Sequence, residues 1–385
     1  DDRPTGAVCL FGDEVDTLQM NDGTCEVVVT PDLSGSRTVY TVTSTGVDGG
    51  RTRILESDLI ECAFTDYLFF LSRNTGKAAA WFYTGEVIDG PIHVDDWIGI
   101  AGDPVFTGHV ESAAPELCYY NEGTQIFSTE SSNPPTDEPT FMDGYTLGSS
   151  EMEWVDQSVI TTMKNHADIS LGGNYEIVFS ESLVGTQSVG YASYSESGKD
   201  DWTDLPLSDL TNGVIYVNGG CQVSGVVDGE VTVVSNGQMD VVGDLVVADA
   251  GENGPNEGCD DFIGLVVGSK MYVADNAANA DGCEIHACVF AVNNQGCFVE
   301  NYDKGSPRGK LTLYGSVAQD KWGPVGTGIY EDGGVTLLTG YERDFHYDWR
   351  FRSMLPPGID LIALDEAAMI RIAWRNVTPR GVSEQ

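Results

Sequence analysis

The residues best equipped for chemistry in this 385-residue chain fall in a few short stretches. Asp344, His346, Asp348 and Arg350 alternate along one face of an expected strand, where carboxylates and an imidazole can exchange protons or hold a cation. The same acids can instead pair with Arg343, Arg350 and Arg352 and fix a terminal cap. Asp275, Asn279, Asp281 and Gly282 have the composition of a calcium loop, so Ca2+ is the one metal kept open. An EF-hand register starting there, however, would put Ala277 at its first position and Cys288 at its twelfth. Asp260 and Asp261 would make half of a glycosidase carboxylate set, but neighbouring acids mean little among 60 Asp and Glu. His93 and His286 lie between inward-facing β residues and are expected to point outward. Asn376 opens a glycosylation-type sequon, a pattern frequent by chance. GxSxG, HExxH and P-loop patterns are absent, so no catalytic residue and no cofactor is assigned.

Nine cysteines without a CxxC pair suit a disulfide-bearing exported protein better than a zinc site. The local pairs would be Cys9–Cys25, Cys62–Cys118, Cys259–Cys283 and Cys288–Cys297, although connectivity does not follow from spacing. Cys221 is the expected leftover thiol, in register with Met239 on a core-facing position. Nine small buried hydrophobes is the plainer alternative.

A net charge of −41, from 19 Lys and Arg against 60 Asp and Glu, repels nucleic acid and anionic lipid alike. It fits a high-salt setting, where screening shortens the reach of repulsion to about 3 Å at 1 M. Divalent-cation binding or plain solubility would also fit. No run of 18 apolar residues is present, so no helical membrane span is expected. Because Asp1 is not an initiator Met, a leader or anchor that was removed or left out is expected, and with it an extracellular or cell-surface location.

The elements that must position these residues are organised around residues 213–249. There, β-rich bites of two to four residues alternate with NGG, DG, NG and GD turns. They form two sets of three, and matching bites start at 215 and 231, 221 and 239, and 226 and 245. A β-meander would have longer strands, so stacked coils of a right-handed parallel β-helix are expected. Ile215, Val217, Val231, Val233, Ile263, Leu265, Ile285, Leu311 and Leu313 would line its core. Residues 90–111 repeat the opening of this stretch and predict a first coil, after which the chain leaves and returns at 213.

The fold class is therefore mainly β: a solenoid with a β-rich N-terminal region and an inserted α+β segment. Its parts are the N-terminal region 1–89, the coil 90–111, the insertion 112–212, the β-helix 213–326 and a C-terminal cap 327–385. Ser150 and Glu153 form a capping box that predicts a helix over 151–166. Ile263, Ile285 and Leu311 are expected to start successive later coils.

The runs IHV, IAGDPVFTG, GVIYVNG, VVSNGQMDVVGD, EIHACVFA, LTLYGSVAQ and RDFHYDWRF followed by LPPG appear in this order over about 90–358. In them the chain resembles a sparsely characterised bacterial family of pilus-assembly proteins. The resemblance implies a β-helical ectodomain behind a prepilin-like hydrophobic N-terminal helix, which residues 1–385 do not contain. It brings no catalytic residues. The expectation is thus a non-catalytic, extracellular structural or adhesive protein, a subunit or tip component of a pilus-like filament. Its partners would be copies of itself or pilus subunits, with surface polysaccharide as a possible ligand. Arg343, Arg350 and Arg352 would form the interface. The alternative is a secreted β-helix enzyme, a polysaccharide lyase or glycoside hydrolase, resting on fold analogy and abundant carboxylates.

Overall fold

Long alternating strands open the chain, and they pair with their sequence neighbours. In the computed structural model, which describes residues 16–20, 23–33, 37–72, 78–121, 126–129, 137–256, 258–292, 296–331, 334–362 and 369–377, the first unit is an antiparallel sheet. It runs Asp16–Met20, Gly23–Asp32, Val39–Asp48, Arg51–Glu61 and finally Met369–Val377. Gly49 and Gly50, both at positive φ, close the Val39–Asp48 hairpin with a two-residue turn of the type that matches strand twist. The unit comprises Asp1–Ala63, Arg352–Met354 and Glu366–Gln385. Met369–Val377, expected in a cap, therefore completes the N-terminal sheet, because its long backbone edge finds the matching edge of Arg51–Glu61.

The second unit, Phe64–Phe351 with Leu355–Asp365, is built from parallel ladders. The first ladder has ten strands in the order Ile169–Leu171, Val214–Val217, Glu230–Ser235, Phe262–Val267, Cys283–Ala291, Pro307–Gln319, Phe69–Leu71, Ile92–Val94, Val110–Ser112 and Tyr145–Leu147. One row along it reads Ile169, Ile215, Val233, Leu265, Val289, Val317, Phe69, Ile92, Val110 and Tyr145. The eight between its two ends are buried. Like stacks on like.

A second ladder joins Tyr175–Val184, Cys221–Val227, Met239–Val247, Met271–Val273 and Cys297–Val299 in parallel. Ala78–Tyr83, Trp97–Ala101 and Cys118–Asn121 pair in the same sense. A third row, Leu245, Ile285, Leu313 and Phe345, is buried throughout. The protein is mainly β, with one large, predominantly parallel sheet system.

Every residue of the expected core set is buried. The pairing differs in detail from the spacing of the bites. Ile215 lies opposite Val233, not Val231, while Cys221 does face Met239. Past a bulge, Gly225 rather than Val226 faces Leu245. Gly225 holds φ +113, and a Cβ there would sit 2.1 Å from the Phe179 carbonyl oxygen. Ile285 likewise faces Leu313 rather than Leu311, since corners of unequal length absorb different residue numbers.

The strands of 90–111 do not lead into 213. Ile92–Val94 pairs with Phe69–Leu71, which pairs with Pro307–Gln319. Ile169–Leu171 and Tyr175–Val184, expected in an insertion, instead begin the two ladders.

The helix is shorter than its capping box predicts. It spans Ser158–His166, and Ser158 N–H donates to Asp156 Oδ1 at 2.6 Å. Trp154 is pulled out of it by stacking on Phe290 (4.8 Å) and Phe70 (5.7 Å), and Met152 N–H is taken by Asp95. Its buried face, Val159, Ile160 and Met163, covers the flank at Val214–Val217 and Glu230–Ser235. No helix among the described residues is long and apolar enough to cross a membrane.

Candidate functional site

Parallel pairing carries side chains of one row into contact from strand to strand. On the outer face of the third row it aligns His286, Tyr314, His346 and Asp89. Tyr314 stacks on His346 at 4.7 Å and meets the edge of His286 at 5.3 Å. The His346 imidazole sits between two carboxylates, Nδ1 3.1 Å from Asp89 Oδ2 and Nε2 3.3 Å from Asp344 Oδ1. Lys310 reaches the other oxygen of Asp344 at 3.2 Å. Asp89, Asp344 and His346 are each about a third or more exposed, so this group meets solvent. His286 is not exposed. Its Nε2 lies 2.7 Å from Glu284 Oε1, and burial pushes its pKa down despite that carboxylate.

Asp348 and Arg350, expected on the same strand face, turn away from this group. Arg350 Nη2 pairs with Asp348 Oδ2 at 2.7 Å, and Nη1 donates to the carbonyls of Cys259 and Asp261. Its guanidinium lies 4.3 Å from the Phe262 ring centre. Asp261, buried, accepts from the backbone N–H of Gly229 and Asp249, so it fixes a corner of the chain. Arg343 is also interior. It contacts Glu86 Oε1 at 2.5 Å among Phe82, Tyr83 and Trp322. The expected interface patch of Arg343, Arg350 and Arg352 is thus corrected: two of the three guanidinium groups serve as internal counter-charges. A chain this acidic draws its scarce arginines to buried carboxylates, where an unpaired charge costs most.

A second histidine group lies at a position that faces outward from its strand and is nonetheless buried. His93 is fully buried, with Nε2 2.8 Å from Asp95 Oδ1 and Nδ1 3.0 Å from Glu111 Oε2. It stacks on Phe70 at 5.1 Å, and Tyr67 O–H donates to the same Glu111 oxygen. Burial pushes His93 down, but the hydrogen bonds to the two carboxylates outweigh it and hold its pKa above the ordinary value. Glu111 is held below its usual range by His93, which overcomes the effect of burial, whereas burial keeps Asp95 above it.

The calcium-loop residues do structural work. Asp275 pairs with Arg308 at 3.1 Å and accepts from Asn301. Asn279 is buried and donates to the carbonyls of Val241 and Ala274. Among the described residues no cluster of three His, Cys, Asp or Glu side chains could hold a metal ion. Asn376 lies in the strand Met369–Val377.

Among the described residues none of the expected disulfides is formed. Cys25, Cys118, Cys259, Cys283, Cys288 and Cys297 are all free thiols, as is Cys221, and Cys9 lies outside the described residues. Cys288 and Cys297 belong to different ladders, and the Cys283 thiol faces the Gly243 carbonyl. Burial pushes the thiols of Cys221, Cys283, Cys288 and Cys297 up to about 12, so they behave as small hydrophobes.

Residues 35–118 match the model of a family described as a domain of unknown function (DUF4900). No curated protein matches the chain. Among solved structures the chain is similar to the competence-associated pilin ComZ from Thermus thermophilus. The TM-score is 0.34 and the identity 12%, over 97% of this chain and 90% of that one.

Proposed function

We propose that the chain is a non-catalytic, extracellular structural protein, a subunit or tip component of a pilus-like filament, whose second unit winds as a right-handed parallel β-helix. The observation that carries this reading is the ten-strand parallel ladder with its stacked core rows. In such a rod each coil is hydrogen-bonded to the next, so it resists local opening and offers long faces. Right-handed winding follows the general handedness of parallel crossovers. The ordered motifs shared with pilus-assembly proteins support the same reading. A charge of −41 opposes self-association at low salt, so assembly is expected in molar salt or with cations. Electron microscopy of the purified protein in molar NaCl tests this. Filaments support it, and discrete monomers under all salt conditions overturn it.

The His346 group favours one second reading, a polysaccharide-active enzyme. Asp89 and Asp344 flank the imidazole from opposite sides and both meet solvent. Depolymerisation of an acidic or neutral polysaccharide, lost in D89N or D344N, would establish it in place of the structural role.

A further inference from the structure

The first ladder ends differently from the way it runs. Its eight interior positions in the Ile215 row are buried, whereas Tyr145 at one end is 49% exposed. Beside it Met142 is 67% exposed, and Phe141 stacks on Phe106 at 4.9 Å. At the other end Ile169 is half-buried and Ser170 exposed. Among the described residues, Tyr145–Leu147 pairs only with Val110–Ser112, and Ile169–Leu171 only with Val214–Val217. Among the described residues each strand therefore keeps one open edge. Such edges are normally blunted by charge, proline or a covering element, because they recruit further strands. Here the three residues at each edge are Tyr, Thr, Leu and Ile, Ser, Leu.

The two edges are complementary in phase. Val110 N–H donates to the Gly144 carbonyl, and a parallel ladder alternates direction residue by residue. Tyr145 and Leu147 accordingly turn their N–H and C=O groups away from Val110–Ser112. At the opposite end Asn218 N–H donates to the Leu171 carbonyl, which leaves Ser170 turning its own groups outward. This is the relation found between every neighbouring pair of the ladder. Charge differs between the ends, though Asp168 precedes Ile169: residues 78–163 contain no Lys or Arg, and Asp143 lies two positions before Tyr145. Lys164 and His166 occupy the last turn of the helix just before Ile169–Leu171.

We infer that a second copy of this chain stacks on the first, adding its Ile169–Leu171 strand in parallel to the open edge of Tyr145–Leu147. The register continues the existing rows, with Tyr145 opposite Ile169, Thr146 opposite Ser170 and Leu147 opposite Leu171. Tyr145 and Leu147 then become interior members of the core rows. The contact is heterologous, so repeating it gives an open filament rather than a closed dimer. This rests on the filament reading above and names its contact.

Cysteine cross-linking in molar NaCl tests the register. Thr146 and Ser170 are exposed, so T146C and S170C should both fold. Under mild oxidation a mixture of the two variants is expected to give a covalent dimer. Either variant alone, and the parent chain, should give none. A self-cross-linked dimer of T146C or of S170C would mean an isologous contact and overturn the inference. So would the absence of any mixed product in a preparation that forms filaments, an outcome that leaves the filament reading intact. Mixed dimers without filaments would instead keep the stacking contact and sink the filament. As a second readout, Y145K should shift sedimentation in molar salt from multimers to monomer with the circular dichroism spectrum unchanged; multimers that persist refute the contact.

Discussion

Replacing Arg343 by Met tests the reassignment of the arginines from surface patch to internal counter-charge. Arg343 contacts Glu86 Oε1 at 2.5 Å, and the two side chains are 6% and 5% exposed. Its Nη2 also donates to the Trp81 carbonyl at 2.7 Å, and the guanidinium lies 5.2–5.4 Å from three aromatic centres. Once the arginine is gone, Glu86 keeps the Tyr83 backbone N–H, at 2.9 Å, and the Tyr83 side chain, but no counter-charge. Breaking such a buried pair costs about 3–5 kcal/mol, because the surviving charge has no counter-charge. Burial already holds Glu86 above its ordinary 4.5, with Arg343 opposing it. In R343M that opposition disappears, so the folded state holds its proton to higher pH. A raised acid contributes stability below its unfolded pKa and loses it as pH rises through the folded one. The deficit of R343M should therefore be smaller near pH 4.5 than at pH 7.5. Urea unfolding at both values measures it, and the double variant E86Q/R343M should recover much of the loss at pH 7.5. A deficit below about 1 kcal/mol, or one independent of pH, would refute the buried-pair reasoning.

Val233, fully buried in the first ladder, should not tolerate Asp: V233D is expected to lose several kcal/mol, read as loss of cooperative unfolding or of soluble protein. Gly225→Ala should destabilise by more than about 1 kcal/mol in the same assay, from the positive φ together with the 2.1 Å approach to Phe179. Because the folded pKa of His93 is raised, its contribution is present below about 6.5 and fades as pH climbs through the raised value. H93Q should accordingly flatten the stability profile above that point, as thermal melts across pH 6–9 would record. Melting temperature should climb with NaCl and then level off as self-repulsion is screened. A jump at micromolar calcium with little response to NaCl would point to specific metal sites instead.

By itself, the sequence determined the local character of this protein. Short β-rich bites between Gly and Asn turns specify strands, and their recurrence specifies that Cys221 stacks on Met239 and that Val233 and Leu265 are core. The excess of acid sets the net charge of −41. Those properties are local or additive, so a linear reading reaches them. Which coil stacks on which is neither. Ile92 resembles Ile215 in its surroundings, yet it stacks on Phe69 and, through it, on Val317, because that choice depends on the path of the whole chain. Exposure of an outward residue is equally global. His93 is buried against Phe70, on whose ring Trp154 also stacks, and only the tertiary structure brings a residue some sixty positions away to that place. The same holds for Arg343. Its charge suggested a surface patch, but Glu86, more than 250 residues earlier, draws it inside, since a buried carboxylate without a counter-charge would cost more than ordering the arginine.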